Sequence, residues 1–166
     1  IRDALPILPR DVWPDGWRGL SDQRFAGSVA FADPERSGSA YTALRTMLLA
    51  ARTAGEADAG WAFIDRFARV LEGRTLSESA AVYAGVASGE YLLGASYEYA
   101  AGASLRLGGD VSVIYPADGS SAVPDGVAIV KGAPRREAAE DFVDFVLSRD
   151  VALAMSVRLS RRSTRS

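Results

Sequence analysis

Residues 27–41 read GSVAFADPERSGSAY, a short apolar strand that passes through a turn into the start of a helix. The first turn of a helix has backbone N–H groups without partners inside the helix, and it carries the positive end of the helix dipole. Ser37 and Ser39 add hydroxyl groups beside Gly38, where a ligand can come close to the backbone. The segment therefore predicts an α/β fold with a candidate anion site. The alternative is that Ser37 or Ser39 only caps the helix.

The composition narrows the possible functions. The chain has 166 residues, 48% of them hydrophobic, which is enough for a packed core. Its formal net charge of −2 gives no general attraction to nucleic acid or to anionic lipid. It contains neither histidine nor cysteine, which excludes Ser-His-Asp hydrolysis, thiolate catalysis and zinc-thiolate sites. An enzyme would be left with carboxylate, tyrosine or Lys131 chemistry, and we expect a protein that is not an enzyme and has no cofactor.

Strands and helices alternate along the chain. Apolar runs predict strands over 28–32, 91–97, 111–115 and 127–130, and helical spacing predicts helices over 39–53, 57–71, 77–88, 98–107, 134–148 and 151–159. We expect Gly55 to end the first helix, and we place Tyr41, Trp61, Phe142 and Phe145 on buried helix faces. This alternation indicates a small sheet flanked by helices, and ligands bind such sheets beyond the carboxyl ends of the strands. Ser37–Ser39 and Tyr97–Glu98 both follow a strand in this way.

Several short motifs occur in an order that resembles the second half of the periplasmic solute-binding proteins of ABC importers. The resemblance is to the group that includes ferric-iron, phosphonate and hexose-phosphate binders. The motifs are WRGL at 17–20, FAGSVA at 25–30, Asp33-Pro34 with the 37–41 segment, SGEYLLG at 88–94, YPADGS at 115–120, GVAIVKGAP at 126–134 and AEDFVDFVLS at 139–148.

The resemblance implies a type II periplasmic-binding-protein-like fold, in which two α/β lobes, built on small mixed sheets, close on a ligand by hinge motion. It divides the chain into an irregular lead-in over 1–26, a second lobe over 27–126 and a region over 127–166 that belongs to the first lobe. That last region holds the crossing strand and C-terminal helices. The opening half of the first lobe would then lie outside this chain. We therefore expect the apolar stripe of helix 134–148 to fold back on the sheet or to drive self-association.

The resemblance also suggests a ligand. The iron-binding branch has two adjacent tyrosines after the strand that ends here at Tyr97, whereas this chain has Tyr97-Glu98-Tyr99. An organic, phosphorylated anion fits better, because its acid group can dock on Ser37, Gly38 and Ser39 while Glu98 accepts hydrogen bonds from hydroxyl or ammonium groups. The alternative for Glu98 is a solvated acid in the first turn of a helix. Ferric iron, held by Tyr97 and Tyr99 if these point the same way, is the alternative. A purely structural alternative is that the rings of Tyr97 and Tyr99 pack against Tyr91 and Leu92 and bind no ligand.

The expected partners follow from the same resemblance. A solute-binding protein delivers its small-molecule anion to the membrane permease of an ABC importer, and a sensor would instead pass the signal to a kinase module. We expect a periplasmic or extracellular protein that associates with the membrane only through regions outside this chain. Neither nucleic-acid binding nor direct membrane insertion is expected. The start of the chain at Ile1 lacks the layout of a signal peptide, and no apolar run is long enough to span a membrane.

Overall fold

The computed structural model describes residues 9–53 and 57–162. The chain divides between Ser121 and Ala122 into two compact units. In the part of the chain that the structure describes, the first unit contains the sheet, four α-helices and every predicted site residue, and the second contains two α-helices. The expected Gly55 helix end lies outside the described residues.

The sheet of the first unit is parallel. Strand β1 (Val29–Ala30) pairs with strand β2 (Leu93–Gly94), with Val29 opposite Leu93 and Ala30 opposite Gly94. A parallel bridge between Ala32 and Leu76 continues the pairing beyond β1. Parallel neighbours must be joined by a long crossover, and the helices between the two strands form that crossover. The carboxyl ends of β1 and β2 therefore lie at one edge of the sheet.

The helices confirm the predicted pattern, each end falling within two residues of its expected position. They are α1 (Gly38–Thr53), α2 (Ala57–Val70), α3 (Ser79–Ala87) and α4 (Glu98–Arg106) in the first unit, and α5 (Arg136–Val146) and α6 (Arg149–Leu159) in the second. Apolar spacing is clearest in α2 and α5, which present a stripe of apolar residues every three to four positions.

The core joins residues of the lead-in, β1, α1, α2 and α3 in one buried cluster. Phe67 of α2 is buried and meets Phe31 edge-to-face at 5.1 Å between ring centroids, and it stacks with Phe63 at 6.4 Å. The expected burial of Trp61 is wrong, because its side chain is 64% exposed. Trp61 lies two positions before Phe63, and residues two apart point to different sides of a helix.

Tyr41 is also exposed, contrary to the prediction. The buried residues of α1 include Ala40, Met47 and Ala51. Tyr41 directly follows Ala40 in the sequence and therefore points to a different side of the helix. The Arg45 guanidinium lies over the Tyr41 ring, 5.9 Å from its centroid. A cation can stack on an aromatic face in this way while both groups stay in contact with water.

The lead-in before β1 is more regular than expected. It forms short 3₁₀ helices at Arg10–Val12, Trp17–Ser21 and Gln23–Phe25. Leu20 and Phe25 are buried, so this segment belongs to the core of the first unit. Asp22 caps the third of these helices by accepting a hydrogen bond of 2.9 Å from the Arg24 backbone N–H.

Asp22 gives a pH-dependent prediction. Hydrogen bonds from the Arg24 guanidinium and backbone N–H lower the pKa of Asp22 below its ordinary 3.8. A lowered pKa in the folded state stabilises the fold above the unfolded-state value and loses that contribution as the pH falls through the folded-state pKa. We expect the Arg24→Ala change to raise the midpoint of the Asp22 carboxyl resonance in an NMR titration. An unchanged midpoint would contradict the pairing.

Two expected strands do not form. Residues 111–115 and 127–130 are not paired as strands within the described ranges, where the sheet contains β1 and β2 alone. An extended segment becomes a strand only when a neighbour accepts and donates its backbone hydrogen bonds. Val130 is largely exposed, so the apolar composition of 127–130 does not reflect burial in this chain.

Helix α5 also departs from the expectation. None of its residues is buried, and the side chains of Phe142 and Phe145 are 60% and 61% exposed. The expectation that this stripe folds back on the sheet or drives self-association stays a prediction. Within the second unit α5 contacts α6, and Ser148 caps α6 by accepting from the Val151 backbone N–H.

Candidate functional site

The turn after β1 positions the predicted anion site. The Asp33 carbonyl accepts hydrogen bonds from the backbone N–H groups of Arg36 (3.1 Å) and Ser37 (2.8 Å), and its carboxylate accepts from Glu35 N–H (2.9 Å). The chain enters the first turn of α1 directly after this turn. The Ser37 hydroxyl accepts from the Ala40 N–H at 3.4 Å, so Ser37 is the helix cap and the capping alternative applies to it.

Three serine hydroxyls meet at this point. Ser37 Oγ lies 3.0 Å from Ser39 Oγ and 2.9 Å from Ser79 Oγ, and the Ser39 and Ser79 hydroxyls are 2.6 Å apart. We call Ser37, Ser39 and Ser79 the serine cluster. Ser37 and Ser39 are 5% and 8% exposed. Each hydroxyl has one proton and can rotate it, so the protons that now join the three oxygens can turn toward an entering acceptor.

Ser79 was not among the site residues predicted from the sequence. It is the first residue of α3, 42 positions after Ser37 along the chain. The available signal was the Ser77-Glu78-Ser79 segment before the third helix, which has the same spacing of serines as Ser37-Gly38-Ser39. Only the packing of α3 beside β1 and β2 brings the two segments together.

The serine cluster joins the N-termini of two helices. Ser39 lies in the first turn of α1, and Ser79 begins α3. Glu78, before α3, makes no side-chain capping bond, and the backbone N–H groups of Gly38 and Ser39 donate to no residue of the described ranges. Each N-terminus behaves as a partial positive charge of about half an elementary charge. Two such ends at one place repel each other unless a negative group lies between them.

Tyr97 and Glu98 lie in a second feature, a pocket of about 220 Å³. The pocket is bounded by the lead-in, α3, α4, the segment after β2 and residues 111–116. Its lining residues are Pro14, Gly16, Trp17, Leu20, Val82, Tyr83, Val86, Leu92, Leu93, Gly94, Ala95, Ser96, Tyr97, Glu98, Ala101, Ser104, Val111, Ser112, Val113, Ile114, Tyr115, Pro116 and Ser120. Glu98 is the charged residue of this set; the others are apolar, aromatic or hydroxyl-bearing.

Glu98 is the first residue of α4 and accepts a hydrogen bond from the Tyr115 hydroxyl. Tyr97 precedes α4, and its ring stacks on Tyr99 with centroids 5.3 Å apart and planes 19° apart. The two tyrosines were expected to share one side of an extended segment. Tyr99 instead belongs to α4, and the rings come together by stacking.

The predicted site residues fall into two groups. Ser37 and Ser39 join Ser79, whereas Tyr97 and Glu98 line the pocket with Tyr115. Ser37, Gly38 and Ser39 are not among the residues that line the pocket. The two groups nevertheless follow paired parallel strands, so both lie toward the carboxyl edge of the same sheet.

This arrangement is an α/β unit with two helix N-termini and a pocket beyond the carboxyl ends of parallel strands. A family model described as "Bacterial extracellular solute-binding protein" matches residues 4–159. The chain therefore belongs to the family of bacterial extracellular solute-binding proteins, which confirms the predicted resemblance.

Individual relatives agree with this assignment. An uncharacterized protein of Haemophilus influenzae is 31% identical over 141 residues, which are 82% of this chain and 38% of that protein. The structure of the periplasmic binding protein AfuA from Actinobacillus pleuropneumoniae, solved with exogenous fructose-6-phosphate bound, superposes with a TM-score of 0.76 at 24% identity. That match covers 89% of this chain and 44% of AfuA. This chain thus spans less than half the length of both proteins.

A third match is a structure described as a two-component system protein that mediates signal transduction. It has a TM-score of 0.76 and 25% identity, and it covers 96% of this chain and 54% of that protein. These superpositions confirm the predicted α/β fold of a periplasmic binding-protein lobe. Among the described residues, no helix is both long and apolar enough to cross a membrane.

Proposed function

We propose that the protein captures a small phosphorylated organic anion outside the cytoplasm and delivers it to the permease of an ABC importer. The serine cluster supports this proposal most directly. Its three hydroxyls lie within 3.0 Å of one another at the meeting point of two helix N-termini. A phosphate or carboxylate at this place would receive hydroxyl and backbone hydrogen bonds and would relieve the repulsion between the two dipoles.

The pocket suits the other end of such a ligand. Glu98 is the charged group of its lining, so a second anionic group is repelled there. Hydroxyl or ammonium groups can donate to its carboxylate. Tyr83, Tyr97 and Tyr115 supply aromatic surface to the carbon skeleton. A ligand with one phosphate and several hydroxyl groups, such as a sugar phosphate, matches both features.

This proposal has a direct binding test. Isothermal calorimetry on the full-length protein with fructose 6-phosphate should show binding, and native mass spectrometry should show whether a phosphorylated molecule co-purifies. We expect Ser39→Ala to weaken binding by about 3–10-fold, the usual net contribution of one hydrogen bond. The matched control is Ser88→Ala, which removes a hydroxyl that bonds to the Gly85 carbonyl at the other end of α3.

Two results would contradict the proposal. If Ser39→Ala and Ser88→Ala bind phosphorylated ligands equally well, Ser39 has only a structural role. If ferric ion produces a visible charge-transfer band that Tyr97→Phe removes, the ligand is ferric iron bound by the tyrosines. A phosphorylated ligand predicts no such band.

A sensory role is the second candidate, favoured by the likeness to a structure described as a two-component signalling protein. A sensor would use the same pocket and serine cluster, because ligand capture and lobe closure are the same physical event in both roles. The two candidates differ in the partner. Crosslinking of the ligand-bound protein to membranes should recover a permease if the protein serves import, and a kinase if it serves sensing.

A further inference from the structure

Two segments about 100 residues apart are joined beside the pocket. The Asp118 carboxylate accepts from the Trp17 backbone N–H, with Oδ1 at 3.0 Å and Oδ2 at 3.1 Å. The Trp17 indole N–H donates to the Gly119 carbonyl at 2.7 Å, and the Ala117 N–H donates to the Asp15 carbonyl at 2.8 Å. We call these four contacts the Asp118 latch.

The latch requires a close approach of the two backbones. An added Cβ at Gly16 would lie 2.6 Å from Asp118 Oδ1, so glycine is needed there. Gly119 has a φ of 111°, which side chains rarely allow. A carboxylate is a strong hydrogen-bond acceptor, so the Trp17 backbone N–H is well matched to Asp118.

The loop over 115–120, which the Asp118 latch fastens, begins with a residue of the pocket. This residue is Tyr115, whose hydroxyl donates a hydrogen bond to Glu98. Gly16, Trp17, Tyr115 and Ser120 line the same pocket as Glu98. The loop and the lead-in therefore form a wall whose position depends on the latch.

We propose that Asp118 is a positioning residue of the ligand site, which holds Tyr115 on Glu98 by fastening the 115–120 loop to residues 15–17. This inference takes its ligand from the proposed function. The positioning of Tyr115 by the 115–120 loop does not depend on that function. Without the Asp118 carboxylate, two of the four latch contacts remain, those of the Trp17 indole and the Asp15 carbonyl. Tyr115 is then held less firmly on Glu98, and the pocket presents a less ordered acceptor to the hydroxyl end of the ligand. The serine cluster, which the latch does not contact, keeps its hold on the phosphate.

The test compares three variants of the full-length protein by calorimetry with fructose 6-phosphate and with inorganic phosphate. We expect Asp118→Ala to weaken fructose 6-phosphate binding about 10-fold and phosphate binding less than about 2-fold, the loss of roughly one hydrogen bond to a charged group. Asp118→Asn keeps an acceptor oxygen and should recover most of the affinity. Asp22→Ala is the matched control, because Asp22 caps the neighbouring 3₁₀ helix and does not line the pocket.

A ligand-free measurement separates this inference from the proposed function. Hydrogen exchange should be faster in 94–100 and 112–120 in Asp118→Ala than in Asp22→Ala, whether or not any sugar phosphate binds. Equal exchange in these segments would overturn the positioning role. An equal loss of affinity for both probes would also overturn it, because that pattern indicates general destabilisation. Absence of binding by the parent protein, with the exchange difference present, would contradict only the proposed ligand.

Discussion

Phe67→Ala is expected to remove most of the stability of the first unit. Phe67 is buried between Phe31 and Phe63, and truncating a buried phenylalanine costs about 3–5 kcal/mol through lost burial and the cavity left behind. Domains of this size are stable by only about 5–15 kcal/mol in total. Urea unfolding followed by circular dichroism should show a large fall in the transition midpoint.

The control for this prediction lies on the same helix. Trp61→Ala removes a larger ring from α2, but that side chain is mostly exposed. Surface changes of this kind usually alter stability by no more than about 0.5 kcal/mol. If the two variants unfold at the same urea concentration, the core does not lie where the structure places it.

Ser79→Asp is expected to abolish ligand binding while leaving the fold intact. The new carboxylate would stand at the start of α3 and beside the first turn of α1, where two helix dipoles favour negative charge. It would occupy the place proposed for the ligand's phosphate and repel it. We expect affinity for fructose 6-phosphate to fall by at least about 100-fold, because two like charges in contact at a partly buried site repel each other by several kcal/mol.

A carboxylate introduced two residues before Ser79 should not have this effect. Ser77→Asp adds an identical carboxylate at an exposed position two residues before the cluster. Its affinity should stay within about 3-fold of the parent, because exposed charges are screened by solvent. Thermal melting of both variants checks folding. If Ser79→Asp melts early, Ser79→Ala replaces it, and parental affinity in either folded Ser79 variant would contradict an anion site at the serine cluster.

Much of the local structure could be predicted from the sequence because it depends on neighbours along the chain. Helical spacing of apolar residues predicted α1 to α6, and the apolar run over 28–32 predicted β1. The burial of particular aromatics could not be predicted in the same way. Tyr41, Trp61, Phe142 and Phe145 all fit a stripe, yet which side of a helix is covered depends on what packs against it.

The residues of the candidate site, too, could be predicted only in part from the sequence. Ser37, Ser39, Tyr97 and Glu98 were identified because each follows an apolar run, and their roles in ligand binding remain predictions. Ser79 and Tyr115 were not recognised as partners of these residues, nor was Asp118 recognised as the partner of Trp17. Each lies 17 or more positions from the residue that it contacts, so no local pattern joins them.

The sequence by itself determined the class of fold, the family and the chemistry that is available, because composition, alternation and residue type are properties of the chain alone. The lack of histidine and cysteine and the serines at the helix start belong to this part. Only the tertiary structure decided which hydroxyls meet, which carboxylate fastens the pocket wall and which expected strands stay unpaired. Those outcomes depend on contacts between segments distant in sequence, and a strand or a site exists only when both of its sides are brought together.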